Sequence, residues 1–200
     1  MGPEVGFRIA NWDTPLRPNP HRSPGRYNRA GSPPTQYIAL HPLTPWAEYL
    51  RSNDLRSPEQ CAELQLNLWA LRVDLAEAVE IGFESSAADF GIEPDDLVGD
   101  RHAACQALAD RLRADSSLPK ALIVPSAALP GTRNLVLLGA KEAIPYQWTP
   151  IDGGDIPACA ITKASRPPDG LLGKVRFAGD PHAELDAWRN GRRYELADLT

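Results

Sequence analysis

Residues 25–51 read GRYNRAGSPPTQYIALHPLTPWAEYLR, and this stretch decides more about the chain than any other. Within it Arg26, Tyr37 and Glu48 follow one another at intervals of eleven. Tyr37 to Leu40 is a short aromatic and aliphatic run that reads as a strand. Thr44-Pro45 then reads as a helix start, a capping hydroxyl followed by proline at the first helical position. That start places Glu48 in the first turn, where the helix dipole favours a carboxylate. A turn, a strand and a helix would thus each deliver one polar group.

Outward from this stretch the chain alternates short strands and helices and shows no repeat. Phe7 to Ala10 reads as a first strand, and the proline-rich Thr14 to Pro24 as a loop. Ser57-Pro58-Glu59-Gln60 carries a capping box, with serine and glutamine three apart. From Asn67 to Leu75 the odd positions Trp69, Leu71, Val73 and Leu75 are apolar, a period of two that predicts a strand with one buried face. Asp100 is expected to cap a helix whose Ala104, Cys105, Leu108, Ala109 and Leu112 form an apolar stripe. Ala121–Val124 and Leu135–Leu138 read as central strands flanking the loop PSAALPGTRN. Ser126 and Asn134 are that loop's polar candidates for contact with a substrate. Ser126 equally suits a turn former bonding its own backbone, and no GxSxG elbow surrounds it. Ala140 to Arg176 is rich in proline and glycine, and Asp180-Pro181 opens a short helix through Trp188 that Gly191 would end.

Two hundred residues with 42% hydrophobic content suffice for a sizeable core, and the length favours one domain with an appendage. No apolar run approaches a membrane span, and the start MGPEVGFRIANWD carries neither a secretory nor a myristoylation pattern, so a cytoplasmic location is expected. Cys61, Cys105 and Cys159 are far apart and lack CxxC spacing, which suggests neither a disulfide framework nor zinc. His21, His41, His102 and His182 show no ligand spacing, so no metal is expected. The net charge is −5, unevenly spread: residues 1–51 hold six Lys or Arg against three Asp or Glu. The basic end is the end with the candidate site, while the acidic remainder argues against a nucleic-acid tract. Glu77 to Asp100 contains eight acidic residues and no Lys or Arg, a solvated face or a docking surface for a basic partner.

The three spaced residues suit NAD. A guanidinium stays ionised and donates in a fork that matches the diphosphate oxygens. A tyrosine ring stacks on nicotinamide. A placed carboxylate stabilises the oxocarbenium-like ribose formed as the glycosidic bond breaks, as in glycoside hydrolysis. Spacing alone leaves other readings open: Glu48 as a solvated helix carboxylate, Tyr37 as a half-buried strand residue, Arg26 as a surface charge.

The surrounding blocks favour the first reading. Phe7-Arg8-Ile9, the stretch from Gly25 to Arg51 and the later ALIVPSAALPGTRNLVLLG resemble, in order and spacing, the RES-domain family, named for its arginine, glutamate and serine. The resemblance covers residues 1–139, with 140–200 as an extension packed on the same domain. It implies an α+β fold with an ADP-ribosyltransferase-like core of mixed sheets and short flanking helices. Residue by residue, the family's arginine falls on Arg26, its tyrosine on Tyr37, its glutamate on Glu48 and its serine on Ser126, and Arg8 matches an early arginine. The Pro33-Pro34 pair makes the run between Arg26 and Tyr37 one residue longer than usual, a departure that touches the local turn.

The activity the resemblance implies is that of a toxin degrading NAD, with water or inorganic phosphate as acceptor. NAD is then substrate, and no cofactor is expected. Catalysis would rest on Arg26, Tyr37 and Glu48, and binding on Arg8, Arg26, Tyr37, Ser126 and Asn134. The implied partner is a cognate Xre-like antitoxin with a helix-turn-helix part, assembling with the toxin and supplying any DNA contact. Two alternatives are an ADP-ribosyltransferase acting on a protein and a silent binding module. Trp46, two positions before Glu48, stands where arginine-directed transferases carry a second acid, which disfavours the former.

Overall fold

Nine residues from Thr44 to Ser52 form the helix α1, and two short strands before it, β1 (Glu4–Ile9) and β2 (Thr35–Ala39), carry the site into the sheet. The structure is a computed structural model and describes residues 4–10, 24–33, 35–73, 75–138 and 159–198. All of the predicted loop from Thr14 to Pro24 except Pro24 itself, and residues 140–158 of the proline-rich stretch, lie outside those residues. After α1 come α2 (Pro58–Ala62), β3 (Leu66–Val73), β4 (Ala78–Glu80), α3 (Ser86–Phe90), α4 (Pro94–Val98) and α5 (Ala103–Ala114). The chain then continues through β5 (Ala121–Pro125), β6 (Arg133–Leu138), β7 (Cys159–Ser165), a 3₁₀ turn over Leu171–Lys174 and α6 (Ala183–Arg189).

All seven strands join one sheet in the order β4-β5-β6-β2-β1-β3-β7. Among the described residues only the β4–β5 pair is parallel, so the sheet is mixed and the flanking helices are short, the α+β architecture expected. In β3, Trp69, Leu71 and Val73 are buried and the residues between them are partly exposed, as a period of two requires. They pack with Ile38 of β2 and Leu135 of β6. The stripe on α5 buries Cys105, Leu108, Ala109 and Leu112 against Leu122, Val124, Val136 and Leu138 of β5 and β6. A third cluster joins Trp46 and Leu50 of α1 to Leu129, Leu171 and Phe177, so residues well past 140 share a core with the helix that carries Glu48. Each such fully buried side chain contributes about 1.5–3 kcal/mol.

Local signals succeed or fail according to what competes for them. Ser57 and Gln60 form the capping box at α2 in full, with both reciprocal bonds made. Thr44 does not cap α1. His41 takes over the helix entry, its Nδ1 accepting from the Leu43 amide and its carbonyl from the Thr44 amide. Leu43 becomes the N-cap residue, and the Thr44 hydroxyl bonds the buried Thr132 hydroxyl at 2.8 Å. Glu48 therefore sits in the second turn, beyond the short reach of the helix-end dipole. Asp100 does not cap α5 either, which starts after His102 without a side-chain cap. Its carboxylate binds Arg51 at 2.6 Å, Arg176 at 3.0 Å and the Gly179 amide at 2.8 Å, partners stronger than an orphan helix amide. The tail helix α6 begins later than Asp180, capped by His182, and ends toward Gly191, whose φ is +64°.

Candidate active site

The GRYN block is a tight turn in which Gly25 and Asn28 bridge each other. Glycine leaves room at its start, since a Cβ at position 25 would meet Asn28 Oδ1 at 2.6 Å and the Tyr37 hydroxyl at 3.1 Å and push at the bond between them. The turn is fastened from two sides. Tyr37, from β2, accepts the Tyr27 amide at 2.9 Å and donates to Asn28 Oδ1 at 2.8 Å. From α5, Gln106 donates to the Gly25 carbonyl at 2.9 Å and Arg113 to the Tyr27 carbonyl at 2.8 Å. Burial pushes the Tyr37 phenol up to about 12, so it stays a neutral donor.

Arg26, held on this turn, donates to the backbone carbonyls of Asp96 at 3.3 Å and Gly99 at 2.7 Å, at the end of α4. A guanidinium has five N–H donors, so two bonds to the scaffold leave others for a ligand. The acidic segment is partly consumed in the same way: Glu80 pairs with Arg133, Asp95 with Arg189, and Asp100 with Arg51 and Arg176. These carboxylates stay exposed, with side-chain exposures of 61% at Glu80, 61% at Asp95 and 39% at Asp100, as on a solvated face.

Glu48 projects from α1 toward the strand ends. Its Oε1 accepts from the Ser126 hydroxyl at 2.9 Å and from Asn134 Nδ2 at 3.0 Å. Among the described residues no protein donor reaches Oε2, so one oxygen is fixed and the other is available. Ser126 is fully buried, and its Oγ also accepts the Ala128 and Leu129 amides at 3.2 and 3.1 Å. Both readings of Ser126 meet here: it shapes its own turn and it orients Glu48. Its one proton and both lone pairs are engaged within the protein, and it lines neither of the two cavities at Glu48.

Two cavities meet at Glu48. One, of about 560 Å³, is lined by Arg8, Tyr37, Glu48, Asn67 and Asn134 among others. Burial lowers the Arg8 guanidinium from its ordinary value, yet arginine stays charged at neutral pH. The other, of about 240 Å³, is lined by Arg26, Tyr27, Tyr37, Glu48, Val124, Ala127, Asn134 and Val136. Tyr37, Glu48, Ser52 and Asn134 belong to both. Arg26, Tyr37 and Glu48, far apart in sequence, thus share one enclosure, with Arg8 in the adjoining one.

Sequence reasoning missed the supports: Asn28, Gln106 and Arg113 behind the turn, Arg51 and Arg176 around Asp100, and His182 behind Ser126. Asn28 had a local signal, being the last residue of the GRYN block. The others act across 49 to 86 positions and carry none. Among the described residues no helix is long and apolar enough to cross a membrane, and no cluster of three His, Cys, Asp or Glu could hold a metal ion.

With this geometry in hand, similarity to known proteins becomes informative. A family model described as the RES domain matches residues 7–156, three quarters of the chain. A Mycobacterium tuberculosis protein named a probable NAD(+) phosphorylase is 30% identical over 121 residues, which are 60% of this chain and 55% of that protein. The chain thus spans little over half the length of that relative. A solved structure of the M. tuberculosis MbcT–MbcA toxin–antitoxin complex superposes with a TM-score of 0.55 at 18% identity, covering 82% of this chain and 84% of the other. The likeness is one of fold.

Proposed function

The chain belongs to the RES-domain family, and from that premise we propose that it breaks the nicotinamide–ribose bond of NAD, depleting the nucleotide and arresting growth. One observation carries this reading: Glu48, with Oε1 tied to Ser126 and Asn134, stands on a wall common to two cavities that each contain an arginine. The larger cavity suits the nucleotide body, with Arg8 beside the diphosphate. In the smaller, the ring of Tyr37 and the aliphatic wall of Val124 and Val136 suit a flat, departing base, and Arg26 supplies charge on the same wall.

In the reaction, the bond between ribose C1 and the ring nitrogen breaks and its electron pair leaves with neutral nicotinamide. The cationic sugar carbon is stabilised by Glu48, whose Oε2 can also hold a ribose hydroxyl. Water or inorganic phosphate then adds an oxygen to C1, releasing ADP-ribose after proton loss or its phosphate ester. The mycobacterial relative's name favours phosphate. The toxin–antitoxin complex with the same fold favours an antitoxin protein as partner, with an Xre-like antitoxin as the candidate and DNA reached through it.

Purified protein incubated with NAD, with and without phosphate, tests this directly. Nicotinamide release only with phosphate, together with a phosphorylated ADP-ribose, identifies phosphate as the acceptor, and release in both arms with unphosphorylated ADP-ribose identifies water. No release in either arm rejects catalysis. A labelled band in cell lysate given labelled NAD would instead favour transfer to a protein, despite the buried Trp46 where a second acid would stand.

A further inference from the structure

We propose that His182 is a positioning residue for Glu48, acting through Ser126, an inference that rests on Glu48 being the acid of NAD cleavage. Glu48 and Ser126 meet through a single proton, and its aim depends on how the Ser126 peptide is seated. The amide side is seated by the Thr132 carbonyl, at 2.9 Å. The carbonyl side lies opposite His182 Nε2, at 3.0 Å. His182 is 4% exposed, and the ring of Phe83 stands edge to it at 6.1 Å.

The tautomer follows from the other ring nitrogen. Leu185 donates its amide to Nδ1 at 3.2 Å, so Nδ1 carries a lone pair and the ring proton resides on Nε2. Nε2 therefore donates to the Ser126 carbonyl. Because Ser126 Oγ accepts two amides of its own loop, a shift of the Ser126 peptide changes where its hydroxyl proton points. The loop is clamped further by the same tail: the Arg176 amide donates to the Ala128 carbonyl at 2.9 Å, and Glu184 accepts the Gly131 amide at 2.8 Å. The C-terminal segment, which carries no motif of its own, is on this account the back wall of the catalytic acid.

Replacing His182 by asparagine separates capping from positioning. Asparagine offers an oxygen near the place of Nδ1 and can still cap α6, but it has no atom at the place of Nε2. His182→Asn is expected to fold with kcat for nicotinamide release lowered about 10- to 100-fold and KM for NAD changed less than about two-fold. In its crystal structure the Ser126–Glu48 contact should open beyond hydrogen-bonding reach. His182→Gln, whose longer amide restores an N–H toward the carbonyl, should recover most of the rate. Equal kcat in both variants and wild type, with the contact intact, overturns the proposal. Loss of folding in His182→Asn leaves the Gln variant to decide, since a folded His182→Gln with the contact broken overturns it too. If wild type releases no nicotinamide, the proposed activity falls, while the crystallographic contact in the variants still decides whether His182 seats Ser126.

Discussion

The two cavities that meet at Glu48 differ in what surrounds the shared wall. Around the larger, Arg8 of β1, Asn53 just after α1, Gln65 just before β3 and Asn67 of β3 offer polar groups. Around the smaller, Val124, Pro125, Ala127 and Val136 form an aliphatic wall, with Arg26 the one arginine on it. Charge interactions strengthen where water and mobile dipoles are excluded. On the proposed function this contrast would give affinity to the first cavity and chemistry to the second, with Glu48, Tyr37 and Asn134 on the wall of both.

The hardest test of that division is Glu48→Gln. The substitution keeps shape and hydrogen-bonding capacity but removes the charge that faces the sugar cation. It is expected to lower kcat for nicotinamide release by about 10³-fold while NAD binding, read by calorimetry, changes little. Binding and rate falling together would mean that the carboxylate mainly holds ground-state substrate. The arginines come next. Arg8→Ala should raise KM by about 10- to 100-fold, the worth of a lost charged hydrogen bond, with kcat nearly unchanged. Arg26→Ala should lower kcat more than it raises KM, and nicotinamide mononucleotide, which lacks the second phosphate, should be sensitive to Arg26 and indifferent to Arg8. The reverse pattern would exchange the roles of the two cavities.

How much of this was legible beforehand follows the range of each interaction. The capping box of Ser57 and Gln60, the alternation from Asn67 to Leu75, whose strand runs Leu66–Val73, and the stripe through Cys105 are all local, and each was readable. Arg26, Tyr37 and Glu48 were readable through their family blocks, and the structure gathers them at one enclosure. Thr44 and Asp100 misled because both obey a local capping rule that a tertiary partner outbids: Thr132 lies 88 positions from Thr44 and Arg176 lies 76 from Asp100. Ser126 was half legible. Its turn chemistry is local, but its target, Glu48, is 78 positions away. His182 reaches across 56 positions to a backbone carbonyl, which no side-chain pattern advertises.

A smaller effect sharpens the shared wall itself. Tyr37→Phe keeps the ring on both cavities and deletes the hydroxyl, leaving the Tyr27 amide and Asn28 Oδ1 without that partner. The expected cost is about 1–3 kcal/mol, seen as a lower Tm in a thermal scan at saturating and at zero NAD. If the hydroxyl serves the turn alone, kcat at a temperature where the variant is folded should fall only as far as Arg26 is displaced. A loss as large as that of Glu48→Gln, with Tm unchanged, would place the phenol among the reacting groups.

The smallest effect concerns pH and reaches the site from behind. Burial lowers the pKa of His182, opposed in part by its bond to Ser126 and by Glu184, and assisted by Arg176 and Arg51. Between this depressed value and the ordinary imidazole value the unfolded chain binds more protons than the folded one, so stability rises with pH across that window. The contribution is complete above the ordinary value of 6.5 and is lost as pH falls through the folded value. His41 and His102 are also lowered by burial and add to the slope. Urea melts at several pH values should therefore show wild type losing stability on acidification, and His182→Gln, which cannot titrate, losing less. Because a proton on Nδ1 would displace the Leu185 amide and unseat α6, the same acidification should slow nicotinamide release in wild type more than in His182→Gln. Identical slopes for the two proteins would show that the imidazole is no more sensitive in the folded chain than in the unfolded one.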